Sequence, residues 1–271
     1  MGRTVLVLVA FCIAATSFAL AQTYGTPRPL PNTTSAPALH RQAVAREIVE
    51  RFHLGLAHLD AREWDGAAAE FNAVLALNPS EPQGSTAAYD LGIAQASAGR
   101  YDEAAKAFEI ALARDPEFLA AMANLIGVDV RRGDMKAARA VADRFVAAAP
   151  HSARALYSRG LVALRTGDTV TARADFSTLL RNDPQYAVAY YDLGVADAHG
   201  EDYASAQREF SSALAIAPSY ARARFALGTV LLREGDRANA RLAFDRAAQD
   251  AADDAGLRTL ATDMSKSIAG P

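Results

Sequence analysis

Five histidines, one cysteine and adjacent carboxylates such as Asp253-Asp254 are where metal, thiol or acid–base chemistry must be sought in this sequence. His40, His53, His58, His151 and His199 are scattered over different segments. His53 and His58 are five residues apart, so on a helix they point in different directions, and nothing supplies a third ligand; no metal is expected. Cys12 is the only thiol and falls inside an apolar run near the N-terminus. The Asp253-Asp254 pair reads as solvated charge. There is no G-x-x-x-x-G-K-[ST], no H-E-x-x-H, no G-x-S-x-G and no strand-borne G-x-G-x-x-G. The sequence therefore predicts neither catalytic residues nor a cofactor, and the chain is not expected to be an enzyme. What remains are aromatic and arginine side chains recurring at helical spacing, which suit recognition rather than turnover.

The run around Cys12 has the layout of a targeting segment. Arg3 supplies a positive start, Val5–Ala15 is almost unbroken apolar sequence, and Ala19-Leu20-Ala21 has the small-x-small form of a signal-peptidase site. Residues 1–21 read as a signal peptide cleaved before Gln22, which predicts an exported protein, periplasmic or secreted. The alternative is an uncleaved anchor, because Thr4–Ala21 is just long enough to span a bilayer. A lipoprotein reading of Cys12 fails on Phe11, too large for the residue before a lipidated cysteine. Once cleaved, the chain has no thiol for a disulfide or a cysteine nucleophile. No later run reaches a spanning length, so no stable membrane insertion is expected after cleavage. Residues 22–37, QTYGTPRPLPNTTSAP, lack a helical period and read as an extended linker. Asn32-Thr33-Thr34 is a glycosylation sequon, which matters only in a eukaryotic source. A formal net charge of -3 gives no general reason to bind nucleic acid.

From Ala38 onward the pattern is helical and periodic. Prolines stand at Pro79, Pro116, Pro150, Pro184 and Pro218, with steps of 37, 34, 34 and 34 residues. Leu-Gly pairs occur at Leu54-Gly55, Leu91-Gly92, Leu193-Gly194 and Leu227-Gly228. Thirteen residues beyond each Leu position lies an alanine (Ala67, Ala104, Ala138, Ala172, Ala206, Ala240), and four further on Phe71, Phe108, Ala142, Phe176, Phe210 and Phe244. Features aligned over six copies make an internal repeat. Glycine lets the second helix of a unit approach the first, and phenylalanine fills the space between them. Gly99, Gly133, Gly167 and Gly235 suit left-handed helix ends, and the prolines stop the second helices. A composition 51% hydrophobic yet only 8% aromatic fits thin, alanine-rich helices packed closely.

A 34-residue helix–turn–helix with L-G, A-x3-F and a closing Pro resembles the tetratricopeptide repeat (TPR) family. The resemblance implies an all-α, right-handed α-solenoid. Six repeats fit residues 48–81, 85–118, 119–152, 153–186, 187–220 and 221–254 within an array over 38–254. Residues 255–271 follow as a capping helix and tail, with Leu257, Leu260, Met264 and Ile268 on one face. Four departures are visible. Ile126 replaces the third glycine, with Gly127 one place late; Ala142 replaces the third phenylalanine; Arg159 takes a leucine position; residues 82–84 add a turn between the first two repeats.

Members of the family bind protein or peptide segments in a groove lined by the first helices, mainly at positions 2, 5, 6, 9, 12 and 13. Position 5 here reads Phe52, Tyr89, Ala123, Tyr157, Tyr191 and Phe225, an aromatic ladder open to two readings, repeat packing or ligand contact. Position 6 offers His53, Asp90, Asn124 and Asp192, and the other lining positions offer Arg131, Arg154, Arg165, His199, Arg222 and Arg233. The arginines favour an acidic or carboxylate-ended segment. The carboxylate clamp by which relatives hold chaperone tails is not matched, because position 5 is aromatic rather than lysine. The expectation is an exported scaffold with a protein or peptide partner. The alternatives are an assembly subunit docking through its convex face or terminal helices, and, more weakly, a polysaccharide-associated module.

Overall fold

The computed structural model describes residues 35–269, which hold thirteen α-helices and, among these described residues, no strand. The expected leader and all but the end of the linker lie outside the described residues. The helices run in pairs. α1 (Ala36–Asp60) and α2 (Trp64–Ala76) come first, then α3 (Gln83–Ser97) with α4 (Tyr101–Arg114), and α5 (Leu119–Arg132) with α6 (Met135–Ala148). α7 (Ala153–Arg165) with α8 (Thr169–Asn182), α9 (Ala187–His199) with α10 (Tyr203–Ile216), and α11 (Ala221–Arg233) with α12 (Arg237–Asp250) complete the array. α13 (Ala255–Ala269) follows. The fold is thus all-α, a solenoid of helix–turn–helix repeats.

The chain forms two compact units, divided within α6 between Val141 and Ala142. In the first unit α1 to α5 pack each against the next. In the second unit α7 to α13 do the same, and the first helices α7, α9 and α11 also touch their counterparts.

One interlock recurs in both units. A Cβ built on Gly55, Gly92, Gly160, Gly194 or Gly228 would lie 2.6–3.0 Å from the ring of Phe71, Phe108, Phe176, Phe210 or Phe244, respectively. All five rings are at most 1% exposed. Each full burial of such a side chain contributes about 1.5–3 kcal/mol, so the glycine earns its place by admitting the ring rather than by flexibility. Gly127 does not inherit this task, since nothing lies within 4 Å of a Cβ there. Ile126 is itself buried, and so is Ala142.

The turns divide by sequence. Gly99, Gly133, Gly167 and Gly235 take left-handed φ of 78–88°, where glycine carries no Cβ penalty. In the first and fifth repeats Arg62 and Glu201 occupy that conformation, both at φ 61°. Gly200 lies one residue too early to serve it. Asp134, Asp168, Asp202 and Asp236, just after these turns, accept the amides of Ala137, Thr171, Ser205 and Asn239 and so cap the second helices. Of residues 82–84, Pro82 stands in a turn with Glu81, and Gln83 and Gly84 form the N-terminus of α3.

Two further departures resolve into contacts. Arg159, at a leucine position, grips Asp175 of α8 with two bonds, Nε to Oδ2 at 2.8 Å and Nη2 to Oδ1 at 2.7 Å, and Asp175 is 2% exposed. On α13 the expected apolar face is kept at Leu257, Met264 and Ile268 but not at Leu260. Ala261 and Ser265 are its buried residues, Met264 and Ile268 pack beside Phe244 and Leu231, and Leu260 is 51% exposed. Ser265 donates to Asp245 Oδ1 at 2.6 Å, tying α13 to α12.

Candidate functional site

In the second unit the first helices α7, α9 and α11 place four tyrosines around one carboxylate. Tyr157 Oη donates to Asp192 Oδ2 at 2.9 Å, joining the fourth repeat to the fifth. The Tyr157 ring lies 5.9 Å from Phe176 and 5.5 Å from Tyr186; the Tyr191 ring lies 5.9 Å from Phe210 and 5.3 Å from Tyr220. Burial raises Asp192 to about 6, against the hydrogen bond from Tyr157 and the charge of Arg165. Burial, with the Asp192 charge behind it, also pushes Tyr157, Tyr186, Tyr191 and Tyr220 up, so the phenols keep their protons. Protonated phenols around a carboxylate that already accepts one of them make a positional lock, not an acid–base pair. Basic side chains recur on these first helices. Arg165, Arg233 and His199 are exposed, while Arg154 and Arg222 are half-buried, with Arg222 Nη2 3.9 Å from Asp254.

In the first unit Tyr89 is 2% exposed between Phe108 and Phe118, and its hydroxyl accepts from Asn124 Nδ2 at 3.1 Å. Arg131 is also engaged: its guanidinium lies 5.4 Å from the Tyr101 ring centre and donates to that hydroxyl at 3.1 Å. Phe52 packs edge-on to Phe71 at 5.5 Å. His53 is exposed, beside a shallow dimple lined by Ile48, Val49, Phe52, His53 and Gln83. Asp90 is 3% exposed, and no charge or hydrogen bond offsets the effect of burial on its carboxyl. Burial alone raises it to about 8.

The expected groove lining therefore separates into two sets. Phe52, Tyr89 and Tyr157 are buried and belong to the packing; Tyr191 and Phe225 are half-buried against Phe210 and Phe244. Asp90 and Asp192 are buried as well, so neither presents open surface charge. Arg165, His199, Arg233 and His53 are the residues that face water; Asn124, Arg131, Arg154 and Arg222 are intermediate. Phe118, Tyr186 and Tyr220 were missed, although each stands two residues after a closing proline, which is itself a repeating signal. Among the described residues no group of His, Cys, Asp and Glu is placed to hold a metal ion, and no helix is long and apolar enough to cross a membrane.

A sequence profile of the tetratricopeptide repeat matches residues 52–117, 89–153, 128–187 and 191–255, about three quarters of the chain. The chain belongs to the tetratricopeptide repeat family. Among solved structures, this TPR chain is similar to a tetratricopeptide repeat protein from Parabacteroides merdae, at 16% identity and a TM-score of 0.61 over 83% of this chain and 100% of that one. MamA from Desulfovibrio magneticus is similar at 19% identity and 0.59, over 64% and 97%. YrrB, described as a TPR protein with an unusual peptide-binding site, is similar at 17% identity and 0.55, over 66% and 92%. No curated protein matches this TPR chain.

Proposed function

We propose that this chain is an exported, non-catalytic scaffold that binds a protein or peptide segment across the first helices of its repeats. In the second unit the segment is acidic or ends in a carboxylate. One observation carries this reading: once packing has absorbed the aromatic ladder, the solvent-facing side chains left on α7, α9 and α11 are basic, with Arg165 and Arg233 foremost. Paired guanidinium contacts to a carboxylate are strong and directional. The family's general use in protein binding, and a peptide-binding site in the similar YrrB, support the same reading. The leader read in residues 1–21 supplies export.

Tyr157 is unsuitable for testing it, because its removal strips Asp192 of its hydrogen bond. The variant Arg165→Glu with Arg233→Glu leaves the packing intact. Fluorescence anisotropy with an acidic C-terminal peptide should show at least tenfold weaker binding to it, more so at low salt. Equal binding by wild type and variant, or a preference for a basic peptide, overturns the reading. N-terminal sequencing of exported chain should begin at Gln22; an intact Met1 on a membrane-bound product overturns cleavage.

A second reading, an assembly subunit docking through second or terminal helices, has its own observation. Val170 on α8, Leu242 on α12 and Leu260 on α13 are 78%, 65% and 51% exposed. Under it, Leu242→Asp with Leu260→Asp abolishes cross-linking to the partner while the arginine variant does not. For stacking of sugars the ladder leaves the half-buried rings of Tyr191 and Phe225.

A further inference from the structure

Two repeats carry the same four residues on their first helix: Tyr89-Asp90-Leu91-Gly92 on α3 and Tyr191-Asp192-Leu193-Gly194 on α9. The aspartates are the same repeat position, and both are more than nine-tenths buried. Their neighbours are not the same. Asp192 accepts from Tyr157, which is position 5 of the preceding repeat. For Asp90 the equivalent residue is Phe52, with a ring and no hydroxyl. Of the other hydroxyls on α3, those of Ser85 and Thr86 donate to the Pro82 carbonyl, and that of Tyr89 lies 3.1 Å from Asn124 Nδ2, from which it accepts. Asp90 therefore occupies the repeat position of the paired carboxylate Asp192, while the position that donates to Asp192 holds a ring without a hydroxyl.

Resting on the reading that the first helices receive a partner segment, we propose that Asp90 anchors a cationic side chain of that segment, an ammonium or guanidinium that takes the place the tyrosine hydroxyl holds beside Asp192. A carboxylate shielded from water without a counter-charge is costly, and a hydrogen-bonding cation is the group that removes the cost. A shallow dimple lies over Phe52, and its wall includes exposed His53 and half-buried Gln83 of α3, the helix that carries Asp90. Gln83 stands seven residues before Asp90, two helical turns along the same face of α3. With its carboxyl raised to about 8, Asp90 holds a proton at neutral pH in the free chain, and an arriving cation displaces that proton. The first unit thus selects a basic residue where the second unit selects acidic ones.

The test uses the full chain, isotope-labelled, titrated with N-acetyl-lysine methylamide and, separately, with the uncharged N-acetyl-norleucine methylamide. Saturable shifts of the Asp90 carboxyl carbon and the α3 amides in the millimolar range are expected with the lysine probe only. Asp90→Asn, nearly isosteric, should lose the response. Phe52→Tyr, which restores the missing hydroxyl, should weaken it severalfold. Equal shifts from both probes, an undiminished response in Asp90→Asn, or no response to the lysine probe overturns the proposal. None of these outcomes depends on capture of an acidic peptide by the second unit: loss of that capture with the lysine response intact removes the scaffold reading and leaves the subsite standing.

Discussion

Gly92 provides the sharpest test of why the repeat has its glycine. A Cβ at this position would lie 2.6, 2.7 and 2.8 Å from Cε1, Cδ1 and Cζ of Phe108. The ring is 1% exposed and has Tyr89 against it, with ring centres 5.8 Å apart, so it cannot swing aside. Overpacking of this kind costs about 1–3 kcal/mol, occasionally more. Alanine in a helix interior recovers about 1 kcal/mol relative to glycine. Three ring carbons inside 3.0 Å put the clash at the upper end, so Gly92→Ala should lose about 2 kcal/mol net. For a chain of this size that lowers the melting temperature by about 4–8 °C. Gly127, also inside a first helix of the same unit, has open space around it, so Gly127→Ala should gain up to about 1 kcal/mol. Trp64 is the only tryptophan and lies on α2 of that unit, so urea titration followed by its fluorescence reads both variants. In a Phe108→Leu background the clash is relieved and Gly92→Ala should become neutral or stabilising. If Gly92→Ala stabilises the wild type as Gly127→Ala does, or if its effect is unchanged by Phe108→Leu, the interlock is not what demands glycine.

Other expectations follow from the same contacts. Asp90 titrates near 3.8 unfolded and about 8 folded, so its contribution is complete below about pH 4 and is lost as pH rises through 8. That span corresponds to a change on the order of 5 kcal/mol, and Asp90→Asn should flatten the dependence of stability on pH over it, as read by urea titrations at several pH values. Asp192, raised to about 6, adds a smaller loss of the same sign at lower pH. In the second unit, Arg159→Ala strands the buried Asp175 carboxylate and should cost about 3–5 kcal/mol by calorimetry. Replacing the pair together, Arg159→Leu with Asp175→Ala, should be near neutral or stabilising; a loss as large as that of the single variant would count against the pair's cost. Glu201 holds a left-handed conformation that Gly200 is placed one residue too early to take, so Glu201→Gly should raise thermal stability by about 1 kcal/mol. A loss of stability would show that the turn has other support.

Where the chain was legible from sequence, the signal was steric and local. The glycine, alanine and phenylalanine offsets name their own contacts, because each must fit a space left by another residue of the same repeat. The turn glycines are equally direct, since only a left-handed backbone calls for them. Position 5 was not legible in this way. An aromatic there can cover a partner or fill the repeat, and the deciding residues, Phe118, Tyr186 and Tyr220, arrive from the end of the repeat to close over Tyr89, Tyr157 and Tyr191. Arg131 illustrates the same limit. Its charge was visible in the sequence, but its commitment to Tyr101, thirty residues earlier, was not.

The aspartates at position 6 carry this further, because identical local sequence leads to different pairing. Stability in a repeat array is set by each repeat together with its interface to the next, so a residue's meaning depends on its counterpart one period away. Tyr157 gives Asp192 a hydrogen bond and turns it into a fixed joint between repeats. Phe52, at the repeat position of Tyr157, has a ring without the donor, and Asp90 stays a buried carboxyl that costs the free chain stability when ionised. A binding group that is expensive when empty is also one whose occupant gains most from being correctly charged, so the missing hydroxyl supplies both the instability and the selectivity. Restoring it with Phe52→Tyr should therefore move two measurements in opposite directions. Stability at alkaline pH should rise, as the hydroxyl compensates the ionised Asp90, while affinity for a lysine side chain falls. A variant that gained both, or lost both, would separate the two effects and break the link drawn between them.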